Sequence, residues 1–382
     1  MSILSQLWWT GVHAAGGEPA VTRVLNGSNF PEPTEILAVG KAAAAMCAGA
    51  FNVLPNDTPA LVVTKRGHGK NLATQFPQIE LIEAGHPIPD VQSLLAGQRL
   101  YERVRDCNSS SRLLLLISGG ASALAERLPP GQSLVGWQQK TEALVSSGES
   151  IETINAARSK VSLIKSGRLL KSFSGSQALV LAISDVQGDA ISVIGSGLGD
   201  PRYLSCSVRT EIVASNATAR AAIVVAARNQ GIAVQENSET LYEDVLTAAR
   251  RMAIAIRLGP PGLYLWGGEP TIELPANPGR GGRNQSLALA LARELSTPPA
   301  NQSQPENDRP NVEVLVAGTD GTDGPTSAAG GWLRDASACD ALQLGAALQA
   351  ADAGSYLAAR DQLFVTGPTD TNVMDLVLCL KR

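Results

Sequence analysis

Several short stretches of this chain deliver chemically capable residues right after an apolar run and a glycine. In "ILAVGKAAAAMCAGA" a strand-like run ends at Gly40 and Lys41 opens an alanine-rich helix. A lysine there offers a point charge to a phosphate or carboxylate, beside the N–H groups of a helix start. The stretch is not a Walker A loop, because Glu35 stands where that motif has its first glycine and Ala42 where it has Ser or Thr. In "LLLLISGGASAL", Ser118, Gly119, Gly120 and Ser122 form a small, flexible turn able to cradle an anion with backbone N–H groups. A serine nucleophile fits poorly, since "GGASA" lacks the second glycine of a nucleophile elbow and the only histidines are His13, His68 and His86. In "LAISDVQGD", Asp185 ends a strand-like run and Asp189 follows, with Asp200 later; Asp185 and Asp189 are the candidate metal ligands, suited to Mg²⁺, which needs few protein carboxylates when phosphates complete its shell.

The second half repeats the theme. "LYLWGGEPT" presents Glu269, and "GRGGRNQSLALALA" places Arg283 and Asn284 at a helix start with Arg280 close by, which reads as a cationic pocket for phosphoryl or carboxylate oxygens. "VEVLVAGTDGTDG" places Thr319, Asp320 and Asp323 in a loop after what reads as a parallel strand. Gly331 occupies the position of an EF-hand's closing Glu, so calcium binding of that kind is excluded; aspartates that only cap their own turn are the alternative. "FVTGPTDTNVMDLVL" adds Gly367, Thr369, Thr371 and Asn372. Two stretches read as bland: "INAARSKVSLIKSGRLL", with Arg158, Lys160, Lys165 and Arg168, as a solvated basic face, and "GSGLGD" as too far from a strand to be a dinucleotide fingerprint.

The elements that must position these residues are a series of apolar runs such as "EILAVG", "ALVVT", "RLLLLISGG", "ALVLAISD" and "QLFVTG". Such runs do not alternate with polar residues, which marks strands buried on both faces, as in parallel sheets, whose ligands collect at the carboxyl ends. At 382 residues, two domains are expected. The polar stretch "QENSETLYEDVLTAARR" and Gly-Pro-Pro-Gly at 259–262 suggest a junction between about Gln235 and Pro261, giving domains 1–240 and 255–382. "STPPANQSQPENDRPN" reads as an exposed loop of the second domain.

Aromatic residues make up 4% and the formal charge is -4, which argues against a nucleic-acid partner. Five scattered cysteines without a C-x-x-C pair indicate neither a disulfide framework nor zinc. No run is long and apolar enough for a membrane span, so the expectation is a cytoplasmic protein without membrane partners, with a homodimer as the default assembly.

Taken together, "AVGKAA", "EAGHPIPD", "LLISGGASAL", "NAARSKVSLIKSGRL", "ISDVQGD", "GGEPT", "GRGGRNQSLALALA", "AGTDGTDGPTSAAGG" and "TGPTDTNVMDL" resemble the glycerate 2-kinase family, whose C-terminal part is the MOFRL domain and whose members were often labelled hydroxypyruvate reductases. The resemblance implies an α/β protein of two α/β domains, a larger N-terminal Rossmann-like parallel-sheet domain and a smaller C-terminal MOFRL-type domain, with the active site in the cleft between them. It implies ATP-dependent phosphorylation of D-glycerate, or a related hydroxy acid, at the 2-hydroxyl with Mg²⁺, and it matches Lys41 and Arg283 to active-site residues. Asp185 is the candidate catalytic carboxylate. Departures fall at Ala121, where glycine is common, and at "GSGLGDP". The alternatives are an NAD(P)H-dependent hydroxypyruvate reductase and a non-catalytic metabolite-binding protein on the same scaffold.

Overall fold

The apolar runs of the first half become six strands: β1 (Glu35–Val39), β2 (Ala60–Lys65), β3 (Glu80–Ala84), β4 (Arg112–Ile117), β5 (Gln177–Ile183) and β6 (Ser207–Ala214). In the computed structural model, which describes residues 2–146, 160–297 and 311–382, they form one sheet ordered β3-β2-β1-β4-β5-β6, parallel throughout. Leu113 to Ile117 of β4 are fully buried, as a strand covered on both faces requires. The strand order reverses between β1 and β4, and in such sheets that reversal opens a crevice at the carboxyl ends.

The helix Val91–Arg105 shows how local sequence builds the layer over this sheet. Asp90 and Ser93 form a reciprocal capping box, arginines occupy the last turn, and Ala96, Leu100 and Val104 recur at helical spacing on the buried face. Arg99 and Arg103 then bind Glu80 and Glu35 at the opposite, amino ends of β3 and β1. Burial pushes Glu35 up to about 7 despite the pull of Arg103.

The second half supplies β7 (Val234–Leu241), β8 (Gly262–Gly268), β9 (Val312–Gly318), β10 (Gly330–Leu333), β11 (Leu363–Phe364) and β12 (Asp375–Lys381), ordered β11-β10-β9-β12-β8-β7. Among the described residues only β7 and β8 of this sheet pair in parallel; β12 lies antiparallel between β8 and β9, and β10 antiparallel to β9 and β11. The expected parallel strand before "TDGTDG" is therefore antiparallel to both neighbours. Its apolar run reported burial correctly, since all seven residues are buried, but burial on both faces carries no information about direction. One face packs on the helices Val245–Leu258 and Arg283–Ser296, the other on Ile3–Ala14 and Asn216–Asn229.

The chain divides into two compact units: Ala15–Ser215 with Asp370–Val373, and Met1–Ala14 with Asn216–Thr369 and Met374–Arg382. The division differs from the expected junction at 235–261, a segment that holds β7 and the helix Val245–Leu258, both inside the second unit. β7 escaped notice because it is an edge strand with one neighbour, so its polar "VQENSETL" needs no second apolar face. The expected exposed loop falls largely on 298–310, outside the described residues.

The basic face is also revised. Arg158 lies outside the described residues, Lys160 is exposed, and Arg168 donates to the Ser162 carbonyl at 2.6 Å. Lys165, by contrast, is fully buried in an ion pair with the equally buried Glu126, at 2.5 Å. Two charges removed from water persist only where each compensates the other.

Candidate active site

At the reversal point, the turns after β1 and β4 lock together. Lys41 N donates to the Gly119 carbonyl at 2.8 Å, Ala42 N to the Ser118 hydroxyl at 3.0 Å, and Ala43 N to the Gly40 carbonyl at 3.2 Å. The N–H groups of Lys41, Ala42 and Ala43 are thus already bonded, and Ser118, fully buried, serves as the acceptor for Ala42. Gly40 is held in turn by Thr64, whose hydroxyl donates to its carbonyl at 3.0 Å. The Lys41 side chain is half-buried, Gly119 is buried and Gly120 partly exposed, and the amides of these two glycines donate no hydrogen bond among the described residues.

Gly119 has no room for a side chain. A Cβ there would lie 2.1 Å from Asp185 Oδ2 and 2.6 Å from Asn372 Nδ2, and these two groups hydrogen-bond each other at 3.2 Å. Gly120, in the left-handed region, would point its Cβ to within 3.2 Å of both His86 Nε2 and Lys41 Cγ. Side-chain-free turns let polar side chains from four segments approach one point. The structure therefore brings together Lys41, Gly119, Gly120, Asp185 and Asn372 from the expected set and adds His86. Ser122 is committed elsewhere, its hydroxyl 2.7 Å from that of Ser196. Here the two departures explain each other: Ala121 packs against Gly195, where a Cβ would sit 2.9 Å from the alanine methyl. Asp189 holds a positive φ of 53°, and its buried Oδ1 has no hydrogen-bond partner among the described residues. Among the described residues no group of three or more His, Cys, Asp or Glu could hold a metal ion alone.

In the second unit Arg283 is the first residue of its helix, and Gly282 precedes it because a Cβ there would strike the Asp323 carboxyl at 2.3 Å. Asp323, from the loop after β9, accepts from the Asn284 and Gln285 amides at 3.0 and 2.8 Å, capping the helix from a distant part of the sequence. Burial pushes Asp323 up to about 7, outweighing those bonds. Arg283 Nε donates to Asp375 at 2.8 Å and its Nη1 pairs with Glu269 at 2.6 Å. Asp375, the first residue of β12, is fully buried and raised by that burial, and Asn284 is buried beside it. The expected cationic pocket is thus a compensated cluster: carboxylates take both the helix amides and two edges of the guanidinium. Asp320 caps its own turn, accepting from Thr322 N and Oγ1 at 2.9 Å, which is the Asx-turn arrangement. Thr319 donates its hydroxyl to the Met374 carbonyl at 2.6 Å, and Thr369 donates to the Thr319 carbonyl at 2.5 Å, so both tie loops together.

Two residues of these clusters escaped the sequence reading. His86 stands two positions beyond β3, in "EAGHPIPD", and Asp375 is an acidic residue opening the apolar run "DLVLCL". A strand-end position was the signal in the first case and a charge at the mouth of a buried strand in the second.

Residues 3–226 match the family model described as a domain of unknown function, DUF4147, and residues 262–375 match the MOFRL family. A D-glycerate 2-kinase from Thermotoga maritima is 32% identical over 390 residues, spanning 90% of each chain. A glycerate 2-kinase from Pyrococcus horikoshii is 30% identical over 400 residues, spanning 90% of this chain and 86% of its own. The crystal structure of a Thermotoga maritima glycerate kinase superimposes with a TM-score of 0.82 at 30% identity, covering 99% of this chain and 98% of that one.

Proposed function

We propose a site assignment from one premise: the chain belongs to the glycerate 2-kinase family, with its DUF4147 and MOFRL parts. It is a phosphotransferase that moves the γ-phosphoryl group of ATP to the 2-hydroxyl of D-glycerate. The observation that carries this reading is the meeting of Lys41, the two unclaimed amides of Gly119 and Gly120, and Asp185 at the strand-order reversal. Phosphoryl transfer asks for positioning and charge neutralisation more than for a covalent nucleophile, and this set supplies both.

In this assignment the Lys41 ammonium balances the charge that builds on the transferring group, and the Gly119 and Gly120 amides orient its oxygens. Asn372 fixes the Asp185 carboxylate by its 3.2 Å bond. Mg²⁺ would suit the oxygen donors of Asp185 and Asp189, whose Oδ1 is a hard ligand with no hydrogen-bond partner among the described residues, and when bound it would neutralise phosphate charge. Arg283 serves the glycerate carboxylate or the phosphoryl oxygens, whose oxygen pairs its guanidinium matches. Asp375, Glu269 and Asp323 are positioning residues for that guanidinium, and Asn284, Thr319 and Thr369 support their loops.

A nicotinamide-dependent reduction has less support. The first strand-to-helix turn, at Gly40–Ala42, lacks the glycine-rich fingerprint, and its amides are already bonded within the fold. The protein incubated with D-glycerate, ATP and Mg²⁺ should form ADP and 2-phosphoglycerate, and Lys41→Ala should lose that turnover.

A further inference from the structure

We infer that His86 is the group that takes the proton from the substrate hydroxyl during phosphoryl transfer. The inference rests on the kinase reading above and assigns its one unassigned role. His86 lies two residues beyond β3, as Lys41 does beyond β1 and Asp185 beyond β5, so all three stand at the carboxyl edge of one parallel sheet. The place where Gly120 would carry a Cβ is 3.2 Å from His86 Nε2 and 3.2 Å from Lys41 Cγ, so those two atoms are no more than twice that distance apart. His86 is partly buried and therefore held, yet it keeps a surface that a small substrate can reach.

The chemistry of the neighbours singles out the imidazole. The Ser118 hydroxyl is fully buried and already accepts from Ala42 N. Asp185 accepts from Asn372 and is assigned to the metal ion. A lysine ammonium has no lone pair with which to accept a proton. A neutral imidazole nitrogen has one, which is why histidine is the side chain most often used to accept a proton in catalysis. As the glycerate 2-hydroxyl oxygen bonds to the γ-phosphorus, the bond from that phosphorus to the β,γ-bridging oxygen breaks and its electron pair leaves with ADP. The hydroxyl O–H bond breaks in the same passage and its proton moves to His86.

The test compares wild type, His86→Ala and His86→Gln in an ADP-release assay with D-glycerate and MgATP, with and without added imidazole. His86→Ala should lose about 10²-fold or more in kcat, the usual range for a missing proton acceptor, with KM for glycerate little changed. Added imidazole should restore turnover to His86→Ala in proportion to its concentration and leave wild type unaffected. Restoration of full activity by His86→Gln would overturn the inference, because glutamine keeps the bulk and hydrogen bonds but cannot accept the proton. So would a His86→Ala kcat within a few fold of wild type. If circular dichroism shows that His86→Ala has lost its fold, His86→Gln decides: lowered kcat at unchanged KM supports the role, and wild-type kcat removes it. A wild type that forms no ADP would refute the kinase reading itself, a result distinguishable from failure of the histidine's role.

Discussion

Replacing Gly119 by alanine is the most discriminating single perturbation of the reversal-point site. The new methyl carbon would stand 2.1 Å from Asp185 Oδ2 and 2.6 Å from Asn372 Nδ2, where ordinary contact needs about 3.5 Å. The carboxylate must therefore retreat by more than an ångström. A misplacement of that size costs about 10²-fold in a reaction governed by alignment, so kcat should fall by about that factor. Stability should change little, because Gly119 lies outside the left-handed region and the clashing atoms end side chains that are only partly buried. A penalty of about 1 kcal/mol, at the low end for overpacking, lowers Tm by about 2–4 °C. The assay is ADP release by the variant beside wild type, with Gly345→Ala as control: there the nearest atom is 4.0 Å away and the helix gains a better former. A folded Gly119→Ala protein with wild-type turnover would refute the claim that Asp185 and Asn372 must hold their present positions.

Other perturbations probe the second unit and the pH response. Arg283→Ala should abolish most turnover and also destabilise the fold by about 3–5 kcal/mol in denaturant titration, since it strands the fully buried Asp375. Asp323→Ala, which removes the acceptor for two helix amides, should cost about 1–2 kcal/mol and lower activity by loosening the start of the Arg283 helix. Glu35 has a folded pKa near 7 against an ordinary 4.5, so the native state binds the extra proton between those values. Its contribution to stability is therefore greatest below pH 4.5 and declines as pH rises through 7, and Glu35→Gln should flatten that part of the Tm profile between pH 5 and 8.

What could be read from sequence follows from which physical quantity the sequence reports. Unbroken apolar runs marked β1, β4, β5, β8 and β9 because burial on both faces leaves a compositional trace. Strand direction leaves none, so β9 was read as parallel although both its neighbours run against it. Polar β7 was hidden for the opposite reason, having one sheet neighbour and little need of apolar residues. The separation of Ile3–Ala14 from the unit that follows it depends on packing against segments more than 200 residues away, which no local period encodes.

The candidate site divides along the same line. Glycine turns at strand ends pointed to Lys41, Gly119 and Gly120, because close backbone approach demands glycine, and Asp185 stood out as a carboxylate closing a buried run. Partners across the chain stayed hidden: the carboxylates that neutralise Arg283, the amides capped by Asp323, and the approach of His86 to Lys41. The spacing of Asp320 and Asp323 suggested a pair with a common task, yet one closes its own turn while the other caps the distant helix that begins at Arg283.

The central claim is phosphoryl transfer from ATP to the 2-hydroxyl of D-glycerate, and the product itself tests it most directly. Phosphorus NMR of a reaction containing the protein, D-glycerate, ATP and Mg²⁺ should show ADP and 2-phosphoglycerate accumulating in equal amounts. A 3-phosphoglycerate resonance would contradict the site of transfer. Unchanged ATP, with NADPH consumed when hydroxypyruvate is supplied, would contradict the kinase account as a whole.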